Sequence, residues 1–422
     1  ARDAGEGTFA TSGSRSHLMA RLPLEDVKIL DFMWVMAGPA GTRMLADYGA
    51  TIVRIESPTR IDTARTLAPY QNNTIGPDAS GLFSNCNAGK FGITLDLGNP
   101  RSREVIGDLV RWADVVTESF SPKAMRAWGL DYPAIRALKP DIIMLSSCLM
   151  GQTGPLASFA GFGNLAAAVS GFYNVTGWPD RPPAGPFGAY TDYIAPRFTA
   201  IAILAALEYR RRTGKGQYID QSQAEASLHF LTPALLDYSV NGRVQFRAGN
   251  DDPHFAPHGL YPAKGDDQWV AIVCRNEDEF AALCEVIKRP ELVRDARFKT
   301  ASDRRKNLAA LDEIVAKWTR ELEPREAERI LQARAIPAHF VQNSRDYYDD
   351  PQIRHRGHFV ELPHPTYGKV TIEGPRAKLS RTPAQARRAA STLGQDNQHV
   401  LEKILGYDED RIEEIVASGV LG

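Results

Sequence analysis

Between residues 27 and 56 the chain switches periodicity in a way that few folds accept. Val27-Lys28-Ile29-Leu30-Asp31-Phe32 is a short apolar, β-rich run that turns into Pro39–Tyr48. Pro39 suits a first helical turn, where its missing N–H costs no hydrogen bond. Gly49 stops that helix ahead of Thr51-Ile52-Val53-Arg54-Ile55-Glu56, the next β-rich run. Strand, helix and strand in this order make a βαβ unit, which demands a parallel sheet covered by helices. The alternation continues with a strand expected at Ile93–Leu97, a helix at Pro100–Trp112, a strand at Val115–Glu118, a short helix at Ile135–Leu138 and a strand at Asp141–Ser147. An open α/β domain accounts for all of these. Neither GxxxxGK[ST] nor a complete GxGxxG occurs, so the phosphate-cradling loops those motifs encode are not expected.

The chain has 422 residues, room for two or three domains at roughly 150 residues each. Residues 1–21 are small and polar and read as a tag or leader. Residues 22–245 carry the α/β pattern of a large domain. From 246 to 340 the pattern becomes that of a smaller α+β domain, a strand at Trp269–Cys274 followed by helices, and residues 341–422 return to the large domain. Fifty Lys and Arg against 51 Asp and Glu leave a formal charge of −1, which gives no electrostatic reason for nucleic acid or an anionic membrane as partner. No apolar run is long enough to span a bilayer. The four cysteines lack CxxC spacing, and reduced thiols in a cytoplasmic protein are expected.

The stretch Ser146–Pro196 is poorer in charge and richer in Gly and small residues than its surroundings. A buried strand runs into Gly151-Gln152-Thr153-Gly154-Pro155, and a second Gly-rich turn, Gly161-Phe162-Gly163-Asn164, opens a helix of small residues. Glycines let a backbone approach a ligand closely, and two such turns after a strand predict an active-site wall; tight helix–sheet packing is the alternative use of the same residues. His254 and His258, like His355 and His358, lack a third ligand, so no metal is expected. GxSxG is absent, and Cys148 at a strand end reads as packing more readily than as a nucleophile.

These residues in this order resemble the class III coenzyme A transferases, the family of formyl-CoA, carnitine and benzylsuccinate CoA transferases and the related α-methylacyl-CoA racemases. The resemblance rests on Leu30-Asp31-Phe32 with Ala37-Gly38-Pro39, Val53-Arg54-Ile55-Glu56, Asn87 with Lys90, Ser119-Phe120, Gly151-Gln152-Thr153-Gly154-Pro155, Thr176-Gly177 with Asp180, and Thr213-Gly214-Lys215-Gly216-Gln217. It implies a Rossmann-like large domain, a smaller α+β domain, and two ring-like subunits interlocked as a homodimer or as a heterodimer with a related subunit. It also implies that coenzyme A moves from an acyl-CoA donor to a carboxylic acid acceptor, both bound as substrates, with no permanent cofactor. Carried over by motif, the coenzyme contacts fall at Val35, Met36, Ala37, Arg54, Ser57, Arg65, Leu95, Ser119, Phe120 and Arg126, where the arginines would meet phosphate bidentately. Phe172, Tyr173 and Trp178 suggest a bulky or aromatic acid of the benzylsuccinate type; they are equally ordinary core residues.

The resemblance places a nucleophilic Asp in a Gly-Phe-Asp turn, where its carboxylate would attack the thioester. Here Gly163 stands at that position, and Phe162 replaces the racemase His one residue earlier. The substrate pocket is expected at Gly161, Phe162, Gly163 and Asn164. Asp192, in Thr191-Asp192-Tyr193, is the remaining catalytic candidate, with a helix-capping role as its alternative. Three readings stay open: a transferase acting through Asp192 or another carboxylate, a subunit without its own nucleophile that serves an Asp-bearing partner, and, last, an acyl-CoA racemase or an isomerase. Separately, Gly163→Asp is expected to make activity appear or rise if the turn then places a carboxylate beside the thioester.

Overall fold

The computed structural model describes residues 21–422, so the expected leader, apart from Arg21, lies outside the described residues. The chain divides into two compact units. One holds the described residues up to Phe159 with Tyr193–Ser222 and Phe359–Gly422; the other holds Ala160–Asp192 and Gln223–His358.

The first unit is built on six parallel strands, β1 (Lys28–Phe32), β2 (Thr51–Glu56), β3 (Phe91–Thr94), β4 (Val115–Glu118), β5 (Ile143–Cys148) and β6 (Tyr218–Ser222), in the order β3-β2-β1-β4-β5-β6. Alternate residues feed two cores, as the twofold repeat of a strand requires. Leu30, Phe32, Val53, Ile55, Val116 and Met144 pack with Val105, Leu109, Val400 and Ile415 on one face. Ile29, Ile52, Val115, Ile143 and Leu145 pack with Leu45, Ile203 and Ala206 on the other. Burial on both faces is why these strands are nearly continuous apolar runs, and each such side chain contributes about 1.5–3 kcal/mol. Asp31 interrupts β1 at no apparent loss, since its carboxylate takes Lys90 Nζ at 2.9 Å and the hydroxyls of Thr42 and Thr117 at 2.8 and 3.0 Å.

The second unit contains an antiparallel sheet of β7 (His258–Pro262), β8 (Trp269–Val273) and β9 (Ala338–Phe340), ordered β7-β8-β9. Helices Glu277–Val286, Leu308–Thr319 and Pro324–Gln332 close it around Phe280, Leu283, Val315 and Leu331. The unit is larger than the 246–340 span expected, because it takes in the glycine-rich segment Ala160–Asp192 and the helices after β6. The return to the first unit comes at Phe359, where the hairpin β10 (Phe359–His364) and β11 (Gly368–Glu373) begins.

Two prolines sit in helical segments. Helix Tyr190–Thr213 carries Pro196 inside it; burial of Thr191, Ile194 and Ala195 outweighs the proline's missing N–H. After β6, helix Gln223–Leu228 gives way to a tighter turn at His229–Leu231, and Pro233 stands at the start of the next helix, Thr232–Asn241, where proline is tolerated. Among the described residues no helix is long and apolar enough to cross a membrane, and no group of three or more His, Cys, Asp or Glu is placed to hold a metal ion.

Candidate functional site

In the first unit the chain leaves β1 toward β2 on one side and β4 toward β5 on the other, so β1 and β4 are neighbours whose connections diverge. Crevices at such a switch point, beyond the carboxyl ends of the strands, are where open parallel sheets bind ligands. A cavity of about 550 Å³ opens there, lined by Trp34, Val35, Ile55, Ser57, Arg60, Leu95, Ser119, Phe120 and Trp128 among others. Three rings form an edge-to-face series along it, Trp34 to Phe120 at 5.6 Å and Phe120 to Trp128 at 5.2 Å. The turn after β1 is tied to the turn after β4 by the Trp34 N–H, which donates to Ser119 Oγ at 3.0 Å.

Of the coenzyme contacts expected from the sequence, Val35, Ser57, Leu95, Ser119 and Phe120 line this cavity; Met36 and Ala37 lie just beyond it, at the start of helix Ala37–Asp47. Arg54 and Arg65 are elsewhere. Both are about 2% exposed, and their guanidiniums are committed to carboxylates: Arg54 to Glu56 and Asp62, Arg65 to Glu56 at 2.6 Å and Asp78 at 2.8 Å. Phe83 lies against both, 5.0 and 3.7 Å from the ring centre. Burial pushes the Glu56 carboxyl up, but the two guanidiniums overcome it and hold it below its ordinary value. The expectation that Arg54 and Arg65 meet phosphate therefore gives way to a framework role behind the cavity, because a cation neutralised by two carboxylates has little charge left to offer. Arg126 is exposed, 3.8 Å from Asp131, and does not line the cavity, whereas Arg60 does.

Glu118 ends β4 beneath the same turn. It accepts the Phe120 N–H at 2.7 Å and a longer bond from the Gln152 amide at 3.4 Å. Burial pushes its carboxyl up to about 7. Cys148 is raised to about 11, again by burial first, so at neutral pH it is a thiol and a poor nucleophile.

The second constellation lies within the second unit. Helix Gly163–Val169 begins at the second glycine of the Gly-Phe-Gly turn, and Asp192 stands beside that start, 7% exposed. The Gly163 N–H and the Gln223 side-chain amide both donate to the Asp192 carboxylate. The Gln223 amide also reaches Thr191 Oγ1 at 2.9 Å, and that hydroxyl donates to the Gly163 carbonyl at 2.9 Å. Burial raises the Asp192 carboxyl to about 6, only partly offset by these neutral donors. A Cβ at position 163 would lie 2.6 Å from Asp192 Oδ1 and 3.0 Å from the Ala189 Cβ. Position 163 is thus not a vacant nucleophile site: the carboxylate of Asp192 fills the space. Asp192 lies inside the first turn of helix Tyr190–Thr213, not at its N-cap, and the helix-opening N–H its carboxylate accepts is that of Gly163, at the start of Gly163–Val169. Gly161, Phe162 and Asn164 are exposed around this start.

Gln223 was legible only as the beginning of a helix, and Trp34, Trp128 and Arg60 only as neighbours of quoted motifs. The aromatic residues could have been sought as a stacking surface, but nothing in the sequence pairs residue 223 with residue 192.

The first unit thus presents a doubly wound parallel sheet with an aromatic cavity at its switch point, and the second a buried carboxylate held by neutral donors. Residues 24–397 match the model of CoA-transferase family III, and the chain belongs to that family. It is 32% identical over 426 residues to the mouse succinyl-CoA:glutarate CoA-transferase, covering 99% of this chain and 94% of that protein. It is 31% identical over 401 residues to the succinyl-CoA–D-citramalate CoA-transferase of Chloroflexus aurantiacus, covering 94% and 98%. Among solved structures, a CaiB/BaiF family protein from Brucella suis superposes with a TM-score of 0.84 at 29% identity, over 91% of this chain and all of that one. The chain is an enzyme of the CoA-transferase class, moving coenzyme A between an acyl-CoA and an acid.

Proposed function

We propose that this transferase works through Asp192, with a short dicarboxylic acid as acceptor and its thioester, of the succinyl-CoA kind, as donor. The observation that carries the reading is the Asp192 carboxylate itself, buried, held on one side by the Gln223 amide and the Gly163 N–H, and raised to about 6 so that it is ionised yet poorly solvated at neutral pH. Coenzyme A would seat in the switch-point cavity, its adenine against Trp34, Phe120 and Trp128 and its phosphates toward Arg60. In the first step Asp192 attacks the thioester carbonyl, giving a mixed anhydride and the coenzyme thiolate. The thiolate then attacks the Asp192 carbonyl, releasing the donor acid and leaving an aspartyl thioester. The acceptor carboxylate repeats the two steps in reverse, which regenerates Asp192 and forms the new acyl-CoA.

The substrate class rests on relatives named for glutarate, citramalate and malate; no relative named here acts on an aromatic acid, and the benzylsuccinate-type acceptor is not proposed. Relatives named as alpha and beta subunits of a succinyl-CoA–L-malate transferase support the alternative that this chain pairs with a related subunit. The interlocked dimer belongs to the same proposal. Incubating the purified chain with succinyl-CoA and trapping with hydroxylamine tests it: the adduct is expected on Asp192, and Asp192→Asn should lower transfer by at least about 10³-fold while coenzyme A still binds. In the active protein kcat/KM should fall as pH drops below about 6, where the carboxylate takes up its proton. Full activity in Asp192→Asn would sink the nucleophile assignment, and activity only after a second subunit is added would favour the paired alternative.

A further inference from the structure

The turn between β1 and helix Ala37–Asp47 forms the wall of the switch-point cavity, and its backbone is unusual. Val35 has φ = 67°, in the left-handed region that a β-branched residue rarely enters. Such a conformation persists only where its surroundings over-determine it. Three successive N–H groups here go to side-chain oxygens. Met33 donates to Asp31 Oδ1 at 2.9 Å, Trp34 to Ser119 Oγ at 3.0 Å, and Val35 to both oxygens of Asp62, at 2.9 and 3.1 Å. Asp62 comes from 27 residues further along and is fully buried. It is itself fixed on every side: Arg54 donates to its second oxygen, its own N–H donates to Glu56 at 3.1 Å, and its first oxygen also caps Ala64 N–H at 2.9 Å.

We propose that Asp62 is a positioning residue for coenzyme binding, a carboxylate clamp that holds Val35 in its left-handed conformation and so sets the wall of the cavity. Arg54 supplies the charge that fixes the clamp. Asp62 does not itself line the cavity; Val35 and Trp34 do. The role rests on the reading that coenzyme A occupies this cavity, and the experiment separates the two.

Coenzyme A binding is measured by calorimetry, and transfer kinetics are recorded, for the wild type, Asp62→Ala, Val35→Gly and the double variant. Asp62→Ala should weaken coenzyme A about 10-fold or more, the loss of a charge-assisted contact, and raise KM for the acyl-CoA while kcat changes by less than about 3-fold. Glycine adopts φ > 0 without strain, so Val35→Gly in the Asp62→Ala background should recover most of that loss. A purely structural role for Asp62 would lower the melting temperature equally in both variants and show no such recovery. Where Asp62→Ala does not fold, Asp62→Leu, close to aspartate in shape but with no acceptor for the Val35 N–H, replaces it with the same expected recovery. Unchanged affinity in a folded Asp62 variant, or no recovery on adding Val35→Gly, overturns the clamp while leaving the cavity reading intact. A wild type that does not bind coenzyme A removes the cavity reading, and the clamp with it.

Discussion

The framework behind the switch-point cavity and the surroundings of Asp192 bury carboxylates to similar depth and treat them oppositely. Asp31 and Glu56 are buried beside cations, Lys90 for one and Arg54 with Arg65 for the other; burial pushes both carboxyls up and the cations bring both below their ordinary values. Asp192 has an amide and a backbone N–H for donors, both neutral, and is raised to about 6. Removing water is a similar penalty in each place, and what differs is whether a full charge compensates it. The compensated carboxylates serve as scaffold. The uncompensated one keeps a proton affinity close to neutrality and a lone pair not tied up in an ion pair, as the nucleophile role proposed for it requires.

The largest test of this contrast is Arg54→Ala. It strips the cation from Asp62 and one of the two from Glu56, which keeps Arg65, in a site that excludes water, and breaking a buried pair in this way costs about 3–5 kcal/mol. A melting temperature within a degree or two of wild type would show that the network is better solvated than its burial implies.

Gly163→Asp should have a smaller effect, directed at rate. The new Cβ would sit 2.6 Å from Asp192 Oδ1, and a second carboxylate would follow it, so kcat should fall about 10- to 100-fold through displacement and like-charge repulsion. Gly163 does not have a positive φ, so space and charge, not backbone strain, decide the outcome. A gain in activity would restore the idea that position 163 is a vacant nucleophile site.

Glu118 gives the smallest effect and sharpens the contrast from within the first unit, being a buried carboxyl there that neutral partners leave raised, to about 7. The folded state holds this proton more tightly than the unfolded chain does. The stability it contributes is therefore present below pH 4.5 and is lost as pH rises toward 7. Glu118→Gln keeps an oxygen for the Phe120 N–H and removes that loss, so thermal melts at pH 8 should show it more stable by about 1 kcal/mol and at pH 4 no more stable than wild type. A difference that does not depend on pH would mean that Glu118 is ionised at neither or both.

The first βαβ unit was readable because Pro39 and Gly49 punctuate it and because strands buried on both faces must be apolar throughout; the parallel sheet and the family follow from those residues and from the ordered motifs. Asp192 was readable as an acidic residue in the segment that follows the second Gly-rich turn. Whether Arg54 would face a phosphate or a carboxylate was not, since an arginine in a strand has the same sequence signature either way, and only the fold brings Asp62 and Glu56 onto it. The same holds for Gly163, Asp192 and Gln223, which are up to 60 positions apart and meet because the helix starts at residues 163 and 223 converge on one carboxylate. Local periodicity and turn chemistry are written in neighbouring residues. The compensation of a buried charge depends on which distant groups arrive beside it, and that is decided by tertiary structure alone.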